Sequence, residues 1–267
     1  MSEMNRSFSG SMPEFYDRFL VPEIFEPFAR NLAARLSQVS SGQVLEMAAG
    51  TGALTRALAR ALPISVGITA TDLNPAMLQQ AKMHAGLERV VWREADALAL
   101  PFSDATFSYV LCQFGVMFFP DKQAAFREAR RVMKPGGAFL FIVWDGWEGT
   151  VLGEASRVVG EMLDVEPTNI RAPAYNDIAR VRADLTVAGF AAVTAERLVE
   201  RSRSNSAREA SIANCHGGLI RAYIEAHAPD RLEEITDAAT AAIAARFGDG
   251  PIEAPLYAVL FGGSRSE

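Results

Sequence analysis

The chain has 267 residues, 49% of them hydrophobic and 22% charged, with a formal charge of −6 at pH 7. This is the composition of an ordinary globular protein, long enough for one large α/β domain with an insertion. A mildly acidic surface offers no basic stripe to neutralise phosphates, which argues against nucleic acid as a partner, and no run approaches the ~20 apolar residues that span a bilayer.

Met1 to Ser11 has no apolar stretch flanked by basic residues, so neither secretion nor membrane insertion is expected. From Glu14 to Leu36 the chain is amphipathic and rich in Phe, and Pro22 and Pro27 are expected to break it into short helices. After Ser40-Ser41-Gly42, short apolar runs alternate with helical stretches. Strands are predicted at Val44 to Met47, Val66 to Thr71, Val90 to Arg93, Phe107 to Cys112 and Ala138 to Val143, with helices at Ala53 to Ala61, Pro75 to Ala85 and Lys122 to Met133. Strict alternation of this kind argues for a parallel sheet covered on both faces. Right-handed crossovers then place the C-terminal strand ends along one edge, where ligands bind.

Beyond Trp144, helices are predicted at Val151 to Leu163 and at Asp177 to Ala188, the second closed by Gly189, and strands at Ala192 to Val199 and Leu256 to Phe261. Between those strands lies a helical insertion, Ala207 to Phe247, expected to project from the sheet edge as a cap over the ligand site. Cys112 and Cys215 fall on a strand and a cap helix, too few and too isolated for a disulfide framework or a zinc site. A reducing, cytoplasmic setting and no metal are expected.

Three segments carry the chemistry. Val44-Leu45-Glu46-Met47-Ala48-Ala49-Gly50-Thr51-Gly52 reads as a strand, a turn of small residues and the start of a helix, which lets a ligand approach the backbone. A dinucleotide fingerprint needs a third glycine where this chain has Thr55, and Glu46 at the strand end would repel a pyrophosphate. A carboxylate there suits a ligand carrying an ammonium and a sulfonium, which favours S-adenosylmethionine over NAD.

Asp72, in Thr69-Ala70-Thr71-Asp72-Leu73-Asn74-Pro75, ends the next strand, where an acidic residue can accept both ribose hydroxyls. The competing reading, that Asp72 only caps the following helix, is countered by Asn74, which can cap it instead. Asp96 and Ala97, in Glu94-Ala95-Asp96-Ala97, can offer a carboxylate to an adenine amino group and a backbone amide to a ring nitrogen, the alternative being a solvated loop.

With Phe107 to Gln113 and Lys134-Pro135-Gly136-Gly137, these segments resemble the class I S-adenosylmethionine-dependent methyltransferases, in particular the small-molecule branch with the ubiquinone and menaquinone biosynthesis C-methyltransferases. The likeness is good over Gln43 to Val143 and loose elsewhere. It implies a Rossmann-like, doubly wound, mostly parallel α/β sheet with a helical cap, divided into a lead-in or lid (1–42), a cofactor domain (43–200 and 251–263) and an acceptor-binding cap (201–250). It places Glu46, Ala48, Gly50, Thr51 and Gly52 around the methionine part, Asp72 on the ribose, Asp96 and Ala97 at the adenine, Leu73 and Met77 on the adenine faces, and Gln113 near the amine and sulfonium. Ala48 stands where the family usually has glycine, so the backbone there is expected to adopt an angle that alanine tolerates.

The resemblance implies methyl transfer from S-adenosylmethionine to a small molecule, leaving S-adenosylhomocysteine. Positioning alone can supply roughly 7–11 kcal/mol, and a base is needed only if the acceptor must lose a proton. Candidate bases are His216, which could equally cap a helix, and Tyr16, which could equally serve packing; His84 is assigned to the surface. The run Gln113 to Pro120 with Phe141, Trp144 and Trp147 would line an apolar or aromatic acceptor site, or else pack as core. Residues Phe8 to Leu20 and the cap face Leu219, Ile220, Tyr223 and Ile224 are expected to add to that wall. A fold relative that binds S-adenosylmethionine for another reaction, and an NAD-dependent oxidoreductase, are the rival readings. A monomer and a homodimer are both open.

Overall fold

The computed structural model describes residues 12–266, so Phe8 to Ser11 of the expected acceptor wall lie outside the described residues. In chain order its elements are α1 (Met12–Phe15), a π-helical stretch (Tyr16–Phe25), α2 (Glu26–Ala34), β1 (Gly42–Glu46), α3 (Ala53–Ala61), β2 (Val66–Asp72), α4 (Pro75–Lys82), β3 (Val90–Glu94), β4 (Phe107–Gln113), α5 (Lys122–Val132) and β5 (Met133–Trp144). There follow α6 (Val151–Leu163), α7 (Ile178–Val187), β6 (Ala191–Ser204), α8 (Ala207–His216), α9 (Leu219–His227), α10 (Leu232–Phe247) and β7 (Ile252–Ser264).

The strands form one sheet in the order β3-β2-β1-β4-β5-β7-β6. β1 to β5 pair in parallel, and β7 returns antiparallel to β5 from Ala138↔Ser264 to Trp144↔Ala258. This is the Rossmann-like, mostly parallel α/β sheet expected from the sequence. Both late strands run beyond their apolar residues. β6 is an edge strand whose exposed positions carry charge, among them Glu196 and Arg201, so its length does not show in hydrophobicity.

Two compact units share the chain, with boundaries inside β6 and β7. The sheet unit holds residues 28–145, 174–198 and 258–266, and the helical unit holds 12–27, 146–173 and 199–257.

In the sheet unit, Phe126 on α5, Phe139 and Phe141 on β5 and Phe261 on β7 are fully buried with ring centroids 5.1–5.8 Å apart. Each such side chain contributes about 1.5–3 kcal/mol by burial. Phe141, expected to point to the ligand edge, is therefore core. A strand buried on both faces has no alternation to tell its two sides apart. Helix starts follow side-chain caps: Asn74 accepts from Ala76 N and Asp121 from Ala124 N.

In the helical unit, Val151, Ala155 and Val159 of α6 pack with Ile220 and Ile224 of α9 and Ile235, Ala239 and Ile243 of α10. Ile220 and Ile224, expected to form an open wall, are 3% and 0% exposed and belong to this core, with Tyr223 packed at its margin. Pro22 and Pro27 do not break the lead-in: the helix widens to π geometry from Tyr16 to Phe25 and passes without interruption into α2, Glu26 N donating to Val21 O at the junction. No helix among the described residues is long and apolar enough to cross a membrane.

Candidate cofactor site

Strand register sets the site. Glu46 pairs with Ala70 and Leu111, and Asp72 pairs with Glu94, so the ends of β1, β2, β3 and β4 fall along one edge of the sheet unit. The turn after β1 is then tied down bond by bond. Met47 N donates to Leu111 O at 2.8 Å, Ala49 N to Thr71 O at 2.8 Å, and Thr71 Oγ1 to Glu46 O at 3.0 Å. Arg56 Nη1 reaches back to Thr51 O at 2.8 Å.

Asp72 organises the next layer. Its Oδ2 accepts from Gly50 N and its Oδ1 from Asn74 N, both at 2.8 Å, so the carboxylate joins the turn to the start of α4. It stays half-buried, and each oxygen retains further acceptor capacity. Burial pushes its carboxyl above the usual range, and bonds from the amides of Asn74, Gly50 and Leu73 oppose the shift. Ala95 N donates to Asp72 O at 3.0 Å, which brings the segment with Asp96 and Ala97 alongside. Asp96 is exposed and closes its own turn by accepting from Leu98 N at 2.9 Å. Leu73 is 43% exposed, an apolar surface at the strand end, while Met77 is buried with its Cε 3.7 Å from the place a Gly50 Cβ would take.

Glu46 is 1% exposed, and its Oε2 accepts from Thr55 Oγ1 at 2.5 Å. Burial pushes its pKa up to about 8; the Thr55 bond and the Arg56 charge oppose the shift, and the Asp72 charge adds to it. A carboxyl so enclosed shapes the site through its hold on the turn. Thr55 and Arg56 are the site residues that sequence reasoning missed: Thr55 registered only as an absent glycine, and Arg56 as one charge on an amphipathic helix. Thr51 Oγ1 is a buried atom of the turn with no hydrogen-bond partner among the described residues. Gln113 ends β4, half-buried.

Ala48 has φ 54°, left-handed backbone rather than an angle alanine readily tolerates, at a cost of about 1–2 kcal/mol. Its methyl group bears on Gly115, where an added Cβ would lie 2.5 Å from Ala48 Cβ and 2.7 Å from Cys112 Sγ. Cys112 is a free, buried thiol whose pKa burial pushes up to about 12.

The sheet unit thus gathers Glu46, Ala48, Gly50, Thr51, Gly52, Asp72, Leu73, Met77, Asp96, Ala97 and Gln113. Residues 44–137 match a family model described as a methyltransferase domain. Residues 44–137 therefore look like a methyltransferase domain. An uncharacterized protein of Mycobacterium tuberculosis is 35% identical over 137 residues, covering 50% of this chain and 49% of the relative. A ubiquinone/menaquinone biosynthesis C-methyltransferase, UbiE, of Hahella chejuensis is 36% identical over 123 residues, covering 45% of this chain and 49% of the relative. The chain therefore spans about half the length of the curated relatives it matches.

Among solved structures, the YcgJ protein of Bacillus subtilis aligns with a TM-score of 0.58 at 20% identity, over 90% of this chain and 99% of that one. A phosphoethanolamine N-methyltransferase 2 of Haemonchus contortus, in complex with S-adenosyl-L-methionine, aligns with a TM-score of 0.54 at 17% identity, over 97% of this chain and 61% of that one. These two likenesses are of fold.

His216 and Tyr16 belong to the helical unit of the chain. His216 ends α8, its Nε2 3.1 Å from Thr236 Oγ1. Because Thr236 Oγ1 donates to Leu232 O at 2.7 Å, its oxygen accepts from His216 Nε2–H, which assigns the ring's lone pair to Nδ1. Burial pulls the His216 pKa down. Tyr16 begins the π-helical stretch with its ring 5.2 Å from that of Phe25.

Proposed function

We propose that this protein is an S-adenosylmethionine-dependent methyltransferase that acts on a small apolar or aromatic molecule. The observation that carries the reading is the pair of carboxyl groups, Glu46 and Asp72, at adjoining strand ends around a turn of small residues that both help to hold.

The donor set fits the cofactor. Asp72 has acceptor capacity for ribose hydroxyls, Leu73 presents an apolar face for adenine with Met77 behind it, Thr51 Oγ1 is a donor for a carboxylate, and a cation brought beside the buried Glu46 would favour its ionised form and pair with it. Asp96 and Ala97 take the adenine edge, and Gln113 the region of the amine and sulfonium. When bound, S-adenosylmethionine supplies a methyl group on a sulfonium leaving group. The protein's part is to hold the acceptor atom in line and keep water out. For an acceptor that must lose a proton, Nδ1 of His216 is the preferred base, being unprotonated at neutral pH, while Tyr16 serves packing.

Mass spectrometry of ligand retained through purification, followed by an acceptor screen for products heavier by one methyl group, tests the reading. The [4+2]-cyclase SpnF is among the fold neighbours, with a TM-score of 0.54, so the product and not cofactor binding decides. Bound cofactor with no methylated product across apolar, aromatic and amine acceptors would overturn the activity.

A further inference from the structure

In the helical unit, every arginine of segments 146–173 and 199–257 other than Arg171 holds a carboxylate at 3.2 Å or less. Arg201 and Arg203 are so paired with 61% and 76% of their side chains exposed. Arg171 is half-buried and has no carboxylate partner among the described residues. This inverts the usual order, in which the more buried charge is the one that needs an ion partner.

The surroundings of Arg171 are built. Its Nη2 donates to Gly153 O at 3.2 Å, its guanidinium carbon lies 5.7 Å from the centroid of the Trp147 ring, and its Nε is buried with no hydrogen-bond partner. Nη1 has no hydrogen bond among the described residues. Trp147 is itself fixed, since its carbonyl accepts from Thr150 Oγ1 at 2.7 Å and packs where a Gly153 side chain would have to be, 1.9 Å from an added Cβ. The nearest carboxylate in sequence to Gly153, Glu154, is already shared by Arg157 and Arg246. Burial, with no opposing charge, weakens the hold of Arg171 on its proton.

We propose that Arg171 and Trp147 form a binding site for an organic oxyanion, a carboxylate or phosphate carried on an apolar or aromatic body. The free Nη1 edge of the guanidinium meets the oxyanion, and the indole takes the apolar part. The site lies within one unit and stands whether or not the chain transfers methyl groups.

The test titrates the full chain with sodium benzoate, sodium acetate and inorganic phosphate at constant ionic strength, following tryptophan fluorescence and melting temperature. Benzoate should give a saturable fluorescence change that is absent from W147F, and should bind more tightly than acetate. R171M should weaken it about tenfold or more, the loss expected for a charge-assisted bond, with R171K between the two. Without ligand, R171M should melt no lower than the wild type, because a desolvated and unpaired charge has been removed. Saturable binding of phosphate in place of benzoate would support the site and assign it to phosphate esters. No saturable response to either probe at millimolar concentration, or an unchanged dissociation constant in R171M, would overturn the proposal. Should R171M fail to fold, the wild type decides: benzoate that raises the melting temperature no more than sodium chloride at equal ionic strength refutes the site.

Discussion

Ala48 and Gly115 determine each other. The Ala48 methyl group, carried on left-handed backbone, occupies the space into which a side chain at position 115 would grow, 2.5 Å from its Cβ. Ala48→Gly removes about 1–2 kcal/mol of backbone strain against roughly 0.5–1 kcal/mol of added chain entropy, and should stabilise the protein by about 0.5–1 kcal/mol. Gly115→Ala should destabilise it by about 1–3 kcal/mol by overpacking against Ala48 and Cys112. Urea unfolding of both variants checks the pair, and a stabilised Gly115→Ala would show that the contact is not as described.

Asp72→Ala should act on ligand and turn alike. Loss of the ribose acceptors is expected to weaken S-adenosylmethionine by about 2–4 kcal/mol, some thirty- to thousand-fold. Because Asp72 also holds the amides of Gly50 and Asn74, the variant should lose about 1–3 kcal/mol of stability even without ligand. Calorimetric titration and a melting curve separate the two effects. An unchanged dissociation constant would remove Asp72 from the ribose.

S-adenosylhomocysteine should bind within about tenfold of S-adenosylmethionine and inhibit turnover, since each proposed contact except the pairing of Glu46 with a cation reaches the adenosine or the amino acid part. A product bound far more weakly would mean that the sulfonium charge supplies most of the affinity, and the contacts assigned to Asp72, Leu73 and Asp96 would have to be redrawn.

Glu23 predicts a pH dependence. It lies in the π-helical stretch at 3% exposure, accepting from Ser204 Oγ at 2.9 Å and Asn214 Nδ2 at 3.2 Å. Burial pushes its pKa up to about 8, with the Glu209 charge adding to the shift and both hydrogen bonds opposing it. Between an unfolded value near 4.5 and about 8, the native state holds a proton that the unfolded chain has released. Stability from this group is complete below that window and falls as pH rises through it, by on the order of 5 kcal/mol. Glu23→Gln should flatten the fall in melting temperature between pH 6 and pH 9. An equally steep profile in the variant would assign the dependence elsewhere, Glu46 being the other carboxyl so placed.

Ile220→Ala should cost about 2–4 kcal/mol of stability, because Ile220 lies in the core of the helical unit, and Tyr223→Ala less. Thermal melts check this. An Ile220→Ala protein as stable as the wild type, with only its acceptor Michaelis constant raised, would restore the reading of that face as a substrate wall.

The first five strands and the Asn74 cap were legible in the sequence, because apolar runs, Pro at a helix start and a short polar side chain before it are local signals. What escaped depends on partners distant in sequence or hidden in pattern. Helical spacing showed that Ile220 and Ile224 share a face but not that α6 and α10 cover it. The continuous apolar run around Phe141 gave no hint of which side meets Phe126. Within the site, Asp72 was legible by position, but its bonds to the turn were not, and Thr55 carried no signal of its own until Glu46 was seen to need a donor.

The π-helical stretch from Tyr16 to Phe25 sets the rotational phase of the lead-in in a way that its composition does not reveal. In an α-helix each residue turns the chain by about 100°, and a π turn, closed i→i+5, takes up about one residue more, so restoring α geometry at unchanged length would swing the residues before Glu23 round by on the order of that angle relative to those after it. Phe15, now 6.3 Å from the His216 ring, and Met12, whose sulfur accepts from Gly218 N at 3.3 Å, would lose their places while Glu23 kept its own. The segment thus works as a phase shifter between two sets of contacts, and it should tolerate the loss of one residue with return to α geometry better than a return to α geometry at full length.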